Sequence, residues 1–257
     1  MVPKVSIVAT VGASPPVITE FLQFVEGVLD RRATDLTLLS TQEEAVLASV
    51  ELIKQAVRDR YPHTHVHVIG LPFGDITSEE RSYEFARIAY KVLMDEKTKH
   101  KADIIYLCVA GGRKDTCIIL SLLGQIFGVD GIYHVVMPDV KAFNIALERI
   151  RKEMTDLLNA EDKEGYYREK KEIFEPVMFP PLSSYVVIRL PLLPYPSNIL
   201  REVLEILRAR RTLLRKVTLP VSFLNMLKTA GLIRLTERNV YTEALGYKLL
   251  SIFEGES

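Results

Sequence analysis

The chain has 257 residues, 48% of them apolar, with 33 basic and 33 acidic side chains. Its length exceeds the usual single domain, so a large domain with a smaller appendage is expected, and the apolar content is enough for a real core. The charge balance excludes a protein that coats nucleic acid by bulk charge, so nucleotide specificity must come from local clusters.

The start, Met1-Val2-Pro3-Lys4-Val5, runs directly into an apolar strand over residues 5–11. With no stretch of membrane-spanning length and no signal peptide, a soluble cytoplasmic protein is expected. Gly12 ends the strand, and Val17, Ile18, Phe21, Leu22, Val25 and Leu29 then recur at helical spacing. The unit repeats as strand 36–39 with helix 43–60, strand 65–69 with helix 78–94, strand 104–109 with helix 116–127, and strand 132–137. Strands apolar on both faces, alternating with helices, predict a doubly wound, mostly parallel α/β sheet. Ligands of such sheets bind beyond the strands' carboxyl ends, where strand order reverses.

Farther along, a helix over 140–158 precedes a polar stretch, 159–172, that reads as a surface excursion. Pro176, Pro180, Pro181, Pro191, Pro194 and Pro196 punctuate a final strand over 185–190 and a linker. Then follow an amphipathic helix (198–211), a helix (219–230) stopped by Gly231, a hairpin (232–241) and a closing helix (242–253). That order is expected of a winged helix-turn-helix, dividing the chain into residues 1–195 and 196–257.

Two segments carry the functional signal: Ala9-Thr10-Val11-Gly12-Ala13-Ser14-Pro15-Pro16 and Cys108-Val109-Ala110-Gly111-Gly112-Arg113-Lys114-Asp115. Each ends a strand and opens into a helix. Small residues admit ligand atoms to the backbone, the helix start offers free N–H groups, and Arg113 and Lys114 add charge, so an anion site is expected. Neither segment fits the dinucleotide or nucleoside-triphosphate loop patterns.

Together these segments, with Val17-Ile18-Thr19-Glu20, resemble the CRISPR-associated Rossmann-fold proteins, most closely the stand-alone ring nucleases that end in a winged helix. The resemblance implies a Rossmann-like sheet in a homodimer that binds cyclic tetra-adenylate and linearises it with no metal and no cofactor. A two-fold dimer suits a four-fold ring, because both copies can meet it isologously. An RNA linkage also brings its own nucleophile, the 2′-hydroxyl, which attacks the adjacent phosphorus to give a 2′,3′-cyclic phosphate; the protein need only align it and stabilise charge. The resemblance assigns that alignment to Ser14 and the acting cation to Lys171, with Lys170 and Arg168 beside it. Thr10, Gly12, Ala13, Pro15, Gly111 and Gly112 would form the walls, and Arg113 and Lys114 would hold the other phosphates.

Bland and rival readings accompany these. Ser14 is otherwise a helix cap. His63, His65 and His67 alternate without a carboxylate or cysteine at metal-ligand spacing, Cys108 and Cys117 read as buried thiols, and no metal site is expected. Arg60 and His65 match, by spacing alone, the pair of ribonucleases that accompany this fold, but they straddle Pro62 and a strand. The main rival is a ligand-sensing transcription regulator that binds DNA through the basic run Arg208, Arg210, Arg211, Arg215 and Lys216. It ranks second because the helix expected to read bases carries Lys228 as its single charge. A sponge that binds the ring uncut is the third class.

Overall fold

The structure, a computed structural model, describes residues 3–193 and 195–254. Met1, Val2, Pro194 and residues 255–257, which belong to the expected chain start, the linker and the end of the second unit, lie outside the described residues. Strand β1 (Val5–Thr10) is buried throughout, which its run of Val, Ser, Ile, Val, Ala and Thr permits because helices cover both of its faces. It pairs in parallel with β2 (Ala33–Ser40) on one side and β4 (Ile104–Cys108) on the other. With β3 (His65–Gly70), β5 (Gly131–Val136) and β6 (Val186–Arg189) the sheet order is β3-β2-β1-β4-β5-β6. Only β6 runs antiparallel. Strand order therefore reverses between β1 and β4, and the two glycine-bearing loops leave the sheet side by side.

One face carries α1 (Pro16–Gly27), α2 (Glu44–Arg60) and α5 (Val140–Asn159), packed around Phe21, Leu36, Ile53 and Tyr133. The other carries α3 (Glu79–Thr98) and α4 (Lys114–Phe127), around Phe85, Leu93, Leu107 and Leu120. The stretch 159–172 is not an excursion. It forms α6 (Lys163–Glu169) and the start of α7 (Lys171–Met178), whose Tyr167 and Phe174 are buried and stack with ring centroids 5.7 Å apart. Its charges lie on the outer side, and the few apolar residues among them suffice to dock both helices against the first face.

The last residues form α8 (Ser197–Arg208), β7 (Arg211–Leu213), α9 (Val221–Thr229), β8 (Ile233–Leu235), β9 (Asn239–Thr242) and α10 (Ala244–Glu254). The strands make a separate antiparallel sheet, β7-β9-β8, over a third core that includes Leu207, Leu224 and Val240. Gly231 turns the chain after α9 at φ +72°, a conformation that favours glycine. Helix α10 packs on α3, where Phe253 meets Tyr90 edge-on at 5.0 Å and Lys248 pairs with Glu79 at 3.0 Å.

Candidate functional site

The loops after β1 and β4 are bolted together. The buried Thr10 hydroxyl donates to the Gly111 carbonyl at 2.5 Å, and the Cys117 thiol donates to the same oxygen at 3.0 Å. A Cβ at Gly12 would lie 2.7 Å from the Gly112 nitrogen, and one at Gly111 would lie 2.5 Å from the Thr10 oxygen. Backbone thus packs on backbone, and at both positions only glycine leaves room. Gly112 itself sits at φ +87°, in the region that penalises a side chain.

Two helices start at this junction. Pro15 precedes α1 and Arg113 precedes α4, and neither makes a side-chain cap bond. Pro15 and Pro16 carry no N–H, and the Ile18 and Thr116 amides already donate to the Pro15 carbonyl at 3.1 Å and the Asp115 carboxylate at 2.9 Å. The Val17 amide of α1 and the Lys114 and Asp115 amides of α4 are therefore the first-turn donors left for an outside acceptor, and the partial positive charge of both helix starts lies beside them.

Beside the glycine floor lies a cavity of about 350 Å³, within the size range of small-molecule sites. Thr10, Gly12, Ala13, Gly112 and Arg113 line it, together with Leu39, Leu71 and Phe85 as apolar wall and Thr41, Glu43 and Asp75 as polar rim. Ser14, half-buried, follows Ala13 at the rim; Pro15 is buried at the start of α1. Lys114 is exposed at the first position of α4 and has no ion-pair partner among the described residues. Thr10 lines the cavity, but its hydroxyl is already committed to the opposite loop.

Arg113 is engaged as well, with the Asp75 carboxylate. Strands β3 and β4 are three places apart in the sheet, roughly 14 Å at the usual strand spacing. The loop after β3 therefore arches over the ends of β2 and β1 to reach Arg113. Arg81 steadies that arch by donating to the Asp75 carbonyl at 2.9 Å and to the Thr77 hydroxyl at 3.1 Å. Asp75, Glu43 and Phe85 escaped the sequence reading; the one available signal was the Gly74-Asp75 turn just past a strand's carboxyl end.

Lys171 lies elsewhere. Its ammonium is 2.7 Å from Asp59 in the last turn of α2, and Lys170 pairs with Glu169 at 3.0 Å. Arg168 pairs with Glu164, which in turn meets Arg58 at 3.5 Å. Helix α2 starts beyond β2's end and returns to the starting edge of β3. Asp59 is thus about 22 Å along the helix from the site end, at 1.5 Å per residue. Within one chain Lys171, Lys170 and Arg168 do not meet Ser14, because the helical docking of 163–178 fixes them at the opposite edge.

The histidines are dispersed: His63 meets Glu26 and His67 meets Asp35, each at 3.0 Å. Burial drives the Cys108 thiol up to about 12, and it raises the Cys117 thiol too. Neither is a ready nucleophile. Glu20, one turn into α1, is wholly buried, and neither of its carboxylate oxygens has a partner among the described residues; burial raises it to about 7.

The model of the CRISPR-associated protein NE0113 family matches residues 14–212. No curated protein matches the chain. Among solved structures the chain is similar to Enterococcus italicus Csm6 bound to cyclic hexa-2'-fluoro-hexa-dAMP, with 14% identity and a TM-score of 0.49 over 80% of this chain and 47% of that one. The chain spans about half the length of that protein.

Proposed function

The chain belongs to the CRISPR-associated protein NE0113 family, and from that premise we propose that it is a CRISPR-associated Rossmann-fold ring nuclease acting on cyclic tetra-adenylate. One observation carries the reading: two helix starts without a side-chain cap, a glycine floor, Ser14 and Lys114, which has no ion-pair partner among the described residues, converge where strand order reverses. Phosphates lie over the floor, where backbone N–H groups and Lys114 meet them. The cavity, with apolar walls and the Glu43 carboxylate, suits a base with an exocyclic amine better than a second phosphate.

Ser14 aligns a ribose 2′-hydroxyl, whose oxygen attacks the adjacent phosphorus while the 5′-oxygen leaves. The hydroxyl proton ends on that 5′-oxygen, giving a linear product with a 2′,3′-cyclic phosphate and no change in composition. Lys114 takes the place of Lys171 as the cation facing the developing charge, since it stands at the same end as Ser14.

The ring is shared by two copies about a two-fold axis. Exposed Ile118 and Leu122 on α4, and Val140 and Ile145 on α5, are the apolar side chains that a second copy would cover. Residues 1–195 form the ring-binding unit, and residues 196–257 form a winged-helix unit.

Incubation of the purified protein with labelled cyclic tetra-adenylate and excess chelator tests the reading. Linear product ending in a 2′,3′-cyclic phosphate is expected, and its loss in Ser14→Ala and Lys114→Ala. Retention of uncut ring would leave a binding protein, and no retention would overturn the assignment altogether.

A further inference from the structure

The whole-chain charge balance conceals an asymmetry. Residues 197–257 hold 10 basic and 6 acidic side chains, a net +4, against 23 and 27 in the first 196 residues. The excess gathers on the small sheet. Arg211 in β7 and Arg234 in β8 both stand opposite Tyr241 of the central strand, and their guanidinium carbons lie 5.9 and 4.5 Å from its ring centroid. Each is also tied at Nε, Arg211 to the Asn239 side-chain amide oxygen at 3.0 Å and Arg234 to the Glu243 carboxylate at 3.1 Å. Ring face and Nε bond together fix two exposed arginines whose terminal nitrogens remain for a further acceptor. They stand two strand spacings apart, about 10 Å.

More cations extend this row. The Leu214 amide donates to the Arg238 carbonyl at 2.9 Å, and the Thr242 amide donates to the Arg210 carbonyl at 3.0 Å. These bonds set Arg215 beside Arg238 at one end of the sheet and Arg210 at the other. Arg210, Arg211, Arg215, Lys216 and Arg238 have no ion-pair partner among the described residues.

We propose that this outer sheet face binds a nucleic-acid duplex through its phosphates, a function separate from the ring site. Guanidiniums already held in place lose less side-chain entropy on meeting phosphate than free ones do. The Tyr241 ring lies against guanidiniums, so the face offers no bare aromatic on which an unpaired base could stack, and a single strand gains little there. Helix α9, expected from the sequence to read bases, exposes Ser222, Asn225 and Thr229 beside Val221 and Met226, and its single charge is Lys228, so the cations that meet phosphate are those of the sheet face. The arginine row contacts the backbone, which carries no sequence preference.

Fluorescence anisotropy of the full chain with labelled DNA duplex, RNA duplex and single strand, across a salt series, tests this. Duplex binding that weakens steeply with salt is expected. In Arg211→Ala/Arg234→Ala it should fall about tenfold or more, with a salt slope shallower by roughly 1.8, about 0.9 for each lost phosphate contact. Arg211→Lys/Arg234→Lys should retain that slope yet bind less tightly than wild type, because charge remains while the fixed fork is lost. Arg215→Ala/Arg238→Ala, which leaves Tyr241 and its neighbours intact, should also weaken binding and guards against misfolding of the first pair. Single strand bound as tightly as duplex, or duplex affinity unchanged in both alanine pairs, overturns the proposal. Cyclic tetra-adenylate binding, measured alongside, should be unaltered in every variant, which separates this result from the fate of the ring-site reading.

Discussion

Two groups of cations stand at opposite edges of the same sheet, and the fold treats them differently. At the starting edge, Lys171, Lys170, Arg168 and Arg58 each have an acidic neighbour on α2 or α6. At the exit edge Lys114 has none among the described residues, and Arg113 has one brought by a loop that crosses two strand ends. What separates them is whether the fold supplies the counter-charge, and only the exit edge leaves a floor of backbone for the missing anion. Exposed pairs of the first kind contribute little and ask for nothing further.

Glu20 extends the contrast to a buried carboxyl that has no partner among the described residues. Its carboxyl is neutral in the folded chain up to about pH 7, but ionises near 4.5 once unfolded. Since the folded state then holds the extra proton, stability is full below 4.5 and falls as pH rises from there to 7. Glu20→Gln should abolish this fall, so that at pH 8 the variant is more stable than wild type by up to about 3 kcal/mol in denaturant titrations. Equal pH profiles for the two proteins would show that the carboxyl finds a partner after all.

The glycine floor should be nearly as sensitive. Gly12→Ala pushes a methyl to 2.7 Å from the Gly112 nitrogen, and overpacking of backbone costs roughly 1–3 kcal/mol. Calorimetry should record about a hundredfold loss of cyclic tetra-adenylate affinity with a lowered melting temperature.

A smaller effect distinguishes the two edges directly. Lys114→Ala should weaken ring binding about tenfold, in line with one charge-assisted contact, whereas Lys171→Ala should leave binding and cleavage as they are. The reverse ranking would return the acting cation to the starting edge. Smallest is Asp75→Asn, which frees Arg113 from its exposed partner. Ring affinity should then rise by a factor of a few, because an exposed ion pair holds less than about 1 kcal/mol.

Much of this was legible in the chain itself. The strand-helix units were plain because the inner strands, buried on both faces, leave continuous apolar runs, although β3 at the sheet edge alternates His with Val and is largely exposed; the two glycine segments marked the junction. The helices over 163–178 were hidden because Tyr167, Phe174 and Met178 are few among many charges. Asp75 and Glu43 were not legible, since their place in the site depends on which strands are neighbours. Lys171 illustrates the limit most clearly: its neighbour Asp59 is more than a hundred residues away, and only the return path of α2 brings them together.

The central claim is that the ring binds at the exit edge. Amide hydrogen exchange with and without cyclic tetra-adenylate measures this residue by residue. Slowed exchange is predicted over residues 10–14 and 110–116, with 163–172 unchanged. Protection over 163–172, with the glycine loops untouched, would contradict the account.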